Sequence, residues 1–277
     1  MGLWTTAAEA LAAARLRRAV ARRLTELDRT PRRSLRDEIE EWAAAAPTRP
    51  ILAGADGERL TAADLAGRAV RWTRWTILHG VERGEPVALL MADRPERVAA
   101  WLGVAAAGAV AAPLDPAANG ADLAAALAAL APRHVIVDAA LLPHFEAAAP
   151  HLTVTAAVWI HGPHAMAYPR IDEALDELSP ERLRPADRRP IAADAVALCF
   201  PSPVGIGARL THRRVVRRLH AVAAACALRA DDRLDLRGLA SREAATVLAV
   251  APASVGALAL LGAPTAPRPS RPATIVA

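Results

Sequence analysis

Apolar residues in the first third of the chain recur every three or four positions, whereas from residue 86 onward they gather into short runs separated by helical stretches. The first regime predicts amphipathic helices, and the second predicts buried strands alternating with helices. A helix is expected over 6–30, where Thr6 and Glu9 form a capping box and Leu16, Val20, Leu24 and Leu27 share a face. Arg15, Arg17, Arg18, Arg22 and Arg23 crowd its other faces, which suits solvent or an anionic lipid surface. Pro31 breaks the pattern, and Ser34 caps a second helix with Asp37 and Glu38 in its first turn. A short hairpin over 51–60 follows, then a third helix opened by Thr61 and Asp64 and closed at Gly80. Within it, the RWTRW run at 71–75 reads as packed tryptophans with snorkelling arginines.

Strands are expected over 87–91, 110–112, 134–137 and 153–160, with helices starting at Arg94 and spanning 122–130 and 141–148. Strict alternation implies right-handed crossovers and a mainly parallel sheet covered on both faces, an α/β fold. A short acidic helix over 168–178 leads into a stretch rich in proline and charge at 179–190, which reads as a linker. An apolar run over 195–200 then enters a loop holding Pro201, Ser202, Pro203, Gly205 and Gly207, and a basic helix leaves it from Thr211. Strand, tight loop and helix in that order are the outline of a phosphate cradle. A strand over 233–236 and a helix over 241–251 follow, and the proline-rich end is expected to fray. The domain organisation expected is a basic helix at 1–33, a first α/β subdomain at 34–178, the linker, a second and incomplete α/β portion at 191–265, and a tail at 266–277. The uncharged stretches 98–114 and 244–267 read as buried elements and not membrane spans, because glycines and prolines interrupt them.

Composition sharpens this picture in two places. All 34 basic side chains are arginine, so any mechanism needing a lysine ammonium or Schiff base is excluded for this polypeptide. The net charge of +5 is then weak evidence for a nucleic-acid partner, and none is expected; the patch at His212, Arg213, Arg214, Arg217 and Arg218 reads as solvated or as a surface for an acidic partner. Cys199 and Cys226 read as free thiols of a reducing compartment, and with no signal peptide visible the expected location is the cytoplasm, with peripheral attachment to the inner membrane face as an option. His161 and His164 have a spacing that could suit a metal, yet no carboxylate pattern accompanies them and no metal site is expected.

Several segments together resemble the N-terminal part of the adenylate-forming, AMP-binding superfamily, and within it the long-chain and very-long-chain fatty acyl-CoA synthetases. They are the helix from Leu35 to Trp42 with Ala46-Pro47-Thr48-Arg49-Pro50, then Leu60-Thr61-Ala62-Ala63-Asp64-Leu65, and the run from Gly80 through Met91. The closest match is Arg94-Pro95-Glu96 through Gly103, with Gly108-Ala109-Val110-Ala111-Ala112-Pro113-Leu114. The resemblance covers about residues 35–265 and implies the first α/β layers of that family's large domain, mainly parallel sheets covered by helices.

The resemblance also implies a nucleotide loop reading approximately T-S-G-T-T-G-x-P-K, followed by a short strand and T-H. Here Phe200 to Arg209 occupies its place and Thr211-His212 matches the T-H, but the loop is about three residues shorter. Ser202 and Gly205 are its credible survivors; Gly207 and Arg209 could substitute in part, and Thr211 completes the candidate nucleotide-binding set. Pro201 and Pro203 remove amide donors, and no catalytic residue is assigned. ATP with magnesium is what the family would use; its binding here is expected to be weak or absent, and coenzyme A is not expected to bind. The family's later motifs would lie beyond Ala277, so the reading is a truncated, degenerate homologue without independent ligase activity, able to hold an acyl ligand, a second copy or a partner chain. Two alternatives stay open: a weakly active or split fatty acid–CoA ligase needing a separate C-terminal half, and a peripheral membrane or scaffold protein using residues 1–30.

Overall fold

A computed structural model describes residues 33–262 except 166, 167, 227 and 238–241, together with 14, 15, 18, 21, 22, 24–27 and 29. The described residues of the first segment are helical, and Leu27 is buried in the core, but most of the expected basic helix and the whole tail at 266–277 lie outside the described residues.

Helix α1 (Leu35–Ala45) begins where Ser34 and Asp37 cap one another, the Asp37 carboxylate accepting the Ser34 N–H at 2.7 Å. Strands β1 (Pro50–Ala53) and β2 (Arg59–Thr61) pair antiparallel, and Thr61 and Asp64 cap α2 (Ala62–Leu78) reciprocally. Next come β3 (Pro86–Leu90), α3 (Pro95–Ala106), β4 (Val110–Pro113), α4 (Gly120–Leu130), β5 (His134–Asp138), α5 (Leu142–Ala148), β6 (Ala157–His161) and α6 (Ile171–Asp176). The rest is β7 (Val196–Ser202), β8 (Gly205–Thr211), α7 (His212–Ala225), β9 (Arg233–Asp235), α8 (Arg242–Leu248) and β10 (Leu258–Leu260).

Six strands form one sheet in the order β6-β5-β3-β4-β7-β8, parallel except for the antiparallel edge strand β8. Because side chains alternate across a strand, Val87 and Leu89 of β3 pack into one core with α1, α2, α3 and α7. Ala88 and Leu90 enter a second core with α4 and α5 on the opposite face. This double cover is why the strands read as continuous apolar runs. Four strands make the other sheet, β2-β1-β10-β9, in which β1 and β9 both flank β10 in parallel.

Both sheets mix early and late parts of the chain. β7 and β8 complete the sheet begun by β3, and β10 pairs with β1, so the subdomain boundaries expected near residues 178 and 191 fall within shared sheets. The stretch 179–190 is correspondingly fastened down: Arg36 donates to the Arg189 carbonyl at 3.1 Å, Arg74 to the Glu181 carbonyl at 3.1 Å, and Arg188 pairs with Glu40 at 2.9 Å. Charge there serves anchoring, which proline-and-charge composition alone could not distinguish from a solvated linker.

The RWTRW tryptophans are core residues, Trp72 and Trp75 both fully buried with rings edge to face at 5.9 Å. Helices α2 and α3 cross at Gly103, where a Cβ would sit 2.4 Å from the Ala69 carbonyl oxygen and from Trp72 Cβ. No helix among the described residues is long and apolar enough to cross a membrane.

Candidate nucleotide-loop site

The expected loop over 201–209 is mostly strand. β7 runs on through Ser202, the chain reverses on Pro203 and Val204, and β8 starts at Gly205, with Ser202 opposite Gly205 and Cys199 opposite Arg209. Two-residue hairpin turns normally place positive φ on the turn residues themselves, but Pro203 is held near φ −65° by its ring. The unusual conformation therefore falls on Gly205, at φ 125°, which the lack of a side chain permits.

Of the five candidate residues, the fold joins only two. The Ser202 hydroxyl donates to the Gly205 carbonyl at 3.0 Å across the turn. Gly207 lies farther along β8, where a Cβ would stand 3.2 Å from the Phe200 carbonyl, and Arg209 is exposed on the same strand. Thr211 ends β8, and its hydroxyl accepts the Arg214 N–H at 3.2 Å as the cap of α7. Six residues of extended chain separate Gly205 from Thr211, about 20 Å. The α7 N-terminus is therefore remote from the turn, and the strand-loop-helix cradle outline does not form.

His212, the partner of Thr211 in the T-H pair, is wholly buried, and its Nδ1 accepts the Leu35 N–H at 3.4 Å. Burial, helped by the Arg36 cation, pushes its pKa down to about 4, so the ring is neutral. Across the hairpin, burial pushes the Cys199 thiol up to about 11 even with Arg209 opposite, which leaves it unreactive. Sequence reasoning passed over Arg242, the first residue of α8. It donates to the carbonyls of Pro201 at 3.2 Å and Pro113 at 3.3 Å, tying the ends of β7 and β4 together. No spacing pattern marks such a contact, because the residues joined are 41 and 129 positions away.

A family model described as AMP-binding enzyme matches residues 39–202, well over half of the chain. The chain belongs to the AMP-binding enzyme family. Human long-chain fatty acid transport protein 6 is 31% identical over 124 residues, covering 44% of this chain and 20% of that protein. A long-chain-fatty-acid-CoA ligase from Archaeoglobus fulgidus superposes with a TM-score of 0.74 at 18% identity, over 84% of this chain and 47% of that one. A fatty acyl CoA synthetase from Mycobacterium tuberculosis gives 0.72 at 22% identity, over 83% and 45%. The N-terminal domain of another protein of that organism, FACL13, gives 0.72 at 20% identity, over 83% and 57%. The chain thus spans a fifth of the curated relative and about half of these solved structures, and its fold is similar to the N-terminal part of acyl-CoA synthetases.

AMP-binding enzymes use ATP with magnesium, and the hairpin of this member can be tested against that group. Its turn has two residues, Pro201 and Pro203 carry no N–H, and the hydroxyls of Ser202 and Thr211 already serve the backbone. Val204 at the tip is 97% exposed and apolar, and residues 196–211 contain no carboxylate for a metal ion. The hairpin thus offers a triphosphate few free donors and its magnesium ion no carboxylate.

Proposed function

We propose that this AMP-binding family chain is an acyl-CoA synthetase-like protein without independent ligase activity. The observation that carries the reading is the hairpin itself, whose Ser202 hydroxyl is held by the Gly205 carbonyl across a turn of Pro203 and Val204. Adenylation depends on preorganised donors around a phosphate, and losing one such donor typically costs about 3 kcal/mol of transition-state stabilisation. Several are missing here together. Acyl chemistry is the favoured class because the named relatives are fatty-acid ligases and a fatty-acid transport protein.

The test is calorimetry of the purified chain with magnesium ATP, alongside fatty-acid-dependent release of pyrophosphate. No heat of binding and no pyrophosphate above a protein-free blank is the expected result. Multiple turnover by this chain alone would overturn the proposal.

A further inference from the structure

We propose that a polar cavity at the carboxyl ends of β3, β5 and β6, away from the hairpin, binds a small zwitterion of the size of a free amino acid. In open α/β sheets, ligands settle outside the carboxyl ends of strands at the point where strand order reverses. Here that point lies beside β3: β4 follows on one side and β5 on the other, and α3 and α5 pack into opposite cores. The cavity measures about 290 Å³ and is walled by α2, the start of α3, the end of β6 and α6.

Its walls alternate guanidinium and carboxylate groups. Arg68 bridges Glu58 and Glu96, each at 2.8 Å, Arg71 holds Asp176 at 2.9 Å, and Arg94 pairs with Asp138 behind the wall. Asp172 is paired with Arg170. Every wall carboxylate thus has a cation, and among the described residues the Nε atoms of Arg71 and Arg94, buried behind the cavity surface, have no hydrogen-bond partner, so the protein does not saturate these two guanidiniums. His161 adds a donor, because its Nδ1, 2.6 Å from Arg94 Nη2, accepts from that guanidinium and the ring proton then sits on Nε2. A carboxylate is the acceptor that suits a guanidinium fork.

A bare anion is the wrong occupant. Among the lining residues Arg68, Arg71 and Arg94 face four carboxylates, Glu58, Glu96, Asp172 and Asp176, which leaves the walls with one excess negative charge. A ligand carrying its own ammonium group removes that conflict. Asp176, with a side chain 78% exposed, and Glu58 each keep a second oxygen to accept from it. None of these residues belongs to the hairpin, so the cavity stands apart from the proposed function.

The experiment screens the full chain against the common amino acids by thermal shift and follows any hit by calorimetry. Acetate and ethylammonium serve as single-charge controls. At least one amino acid should bind, with both controls weaker by tenfold or more. Arg71→Gln, on an ion pair at the surface, should weaken that amino acid about tenfold while the circular dichroism and melting temperature stay as in the parent. Should Arg71→Gln fail to fold, Asp176→Asn should weaken the same amino acid and leave acetate unaffected. Binding of acetate as tight as the amino acid, no amino acid bound up to about 10 mM, or unchanged affinity in a folded variant would each overturn the proposal.

Discussion

His220 and Glu38, 182 positions apart, meet in the core with Nε2 and Oε2 2.9 Å from each other. Glu38 is 0% exposed, and its other oxygen accepts from Arg33, so one buried carboxylate joins the segment before α1, α1 itself and α7. Burial by itself would raise the Glu38 pKa, but the bonds from His220 and Arg33 prevail and hold it below its ordinary value. Removing the carboxylate takes the Glu38 bond from buried His220 and one of two ion pairs from half-buried Arg33. Glu38→Ala is therefore expected to destabilise the protein by about 3–5 kcal/mol, read by urea denaturation, and a loss below about 1 kcal/mol would contradict the role given to this contact.

His212 sets a second limit on acid stability. Its pKa falls from 6.5 to about 4 on folding, so below 6.5 the unfolded chain takes up a proton that the folded ring refuses. The contribution is complete above 6.5 and drains away as pH falls toward 4, amounting to roughly 3 kcal/mol. Glu38 acts in the same direction at lower pH, because a carboxylate with a depressed folded pKa loses its stabilisation as pH falls through that value. Melts at several values between pH 7.5 and 4 should show a steeper decline for the parent than for His212→Gln, and parallel curves would exclude the assignment.

Backbone conformation and space can be separated in the hairpin. Gly205 has φ 125° with nothing within 4 Å of where a Cβ would stand, so Gly205→Ala should cost about 1–3 kcal/mol through strain alone. Gly207 has no such φ, and its substitution to alanine meets only the Phe200 carbonyl at 3.2 Å. The melting temperature should therefore drop further for Gly205→Ala than for Gly207→Ala, and the reverse order would refute the turn geometry described above.

Gly103 tests the α2–α3 crossing. An alanine there drives its Cβ to 2.4 Å from the Ala69 carbonyl oxygen and Trp72 Cβ, neither of which can swing aside. Overpacking of this kind costs about 1–3 kcal/mol and sometimes more. The same backbone approach lets Thr73 donate to the Gly103 carbonyl at 3.0 Å, so Gly103→Ala should lose that bond too and exceed the cost of Thr73→Val. Chemical denaturation of both variants decides the order.

Removing Arg36 should release the 179–190 stretch. Its guanidinium donates to the carbonyls of Ala106 and Arg189, at 3.1 Å in each case through Nε and Nη1. In Arg36→Ala, trypsin is expected to cleave after Arg188 about tenfold faster than in the parent, the Arg189–Pro190 bond being resistant. Equal cleavage rates on a gel time course would show that the other anchors suffice.

The element order was legible in the sequence because local chemistry dictates it. Ser34 with Asp37 and Thr61 with Asp64 announce helix starts through hydroxyl-carboxylate pairs three residues apart, and Gly80, at φ 67°, ends α2 as a left-handed glycine does. The apolar runs at β3, β4 and β5 announce a doubly covered sheet, because strands buried on both faces cannot alternate. The run of matches from Leu35 through Leu114 was likewise enough to suggest the family.

What only tertiary structure decided depends on contacts between distant residues. Residues 201–209 looked like a loop because proline and glycine are punctuators; they became a hairpin because β7 lies beside β4 in the sheet and offers β8 an edge. The apparent linker became an anchored strap once Arg36, Arg74 and Glu40 were brought beneath it. Glu38 with His220, Arg242 with Pro113 and the cavity around Arg71 and Arg94 had no signature in the chain, since hydrogen bonds and charge pairs act through space. Helix caps and buried strands, by contrast, are written in neighbouring residues.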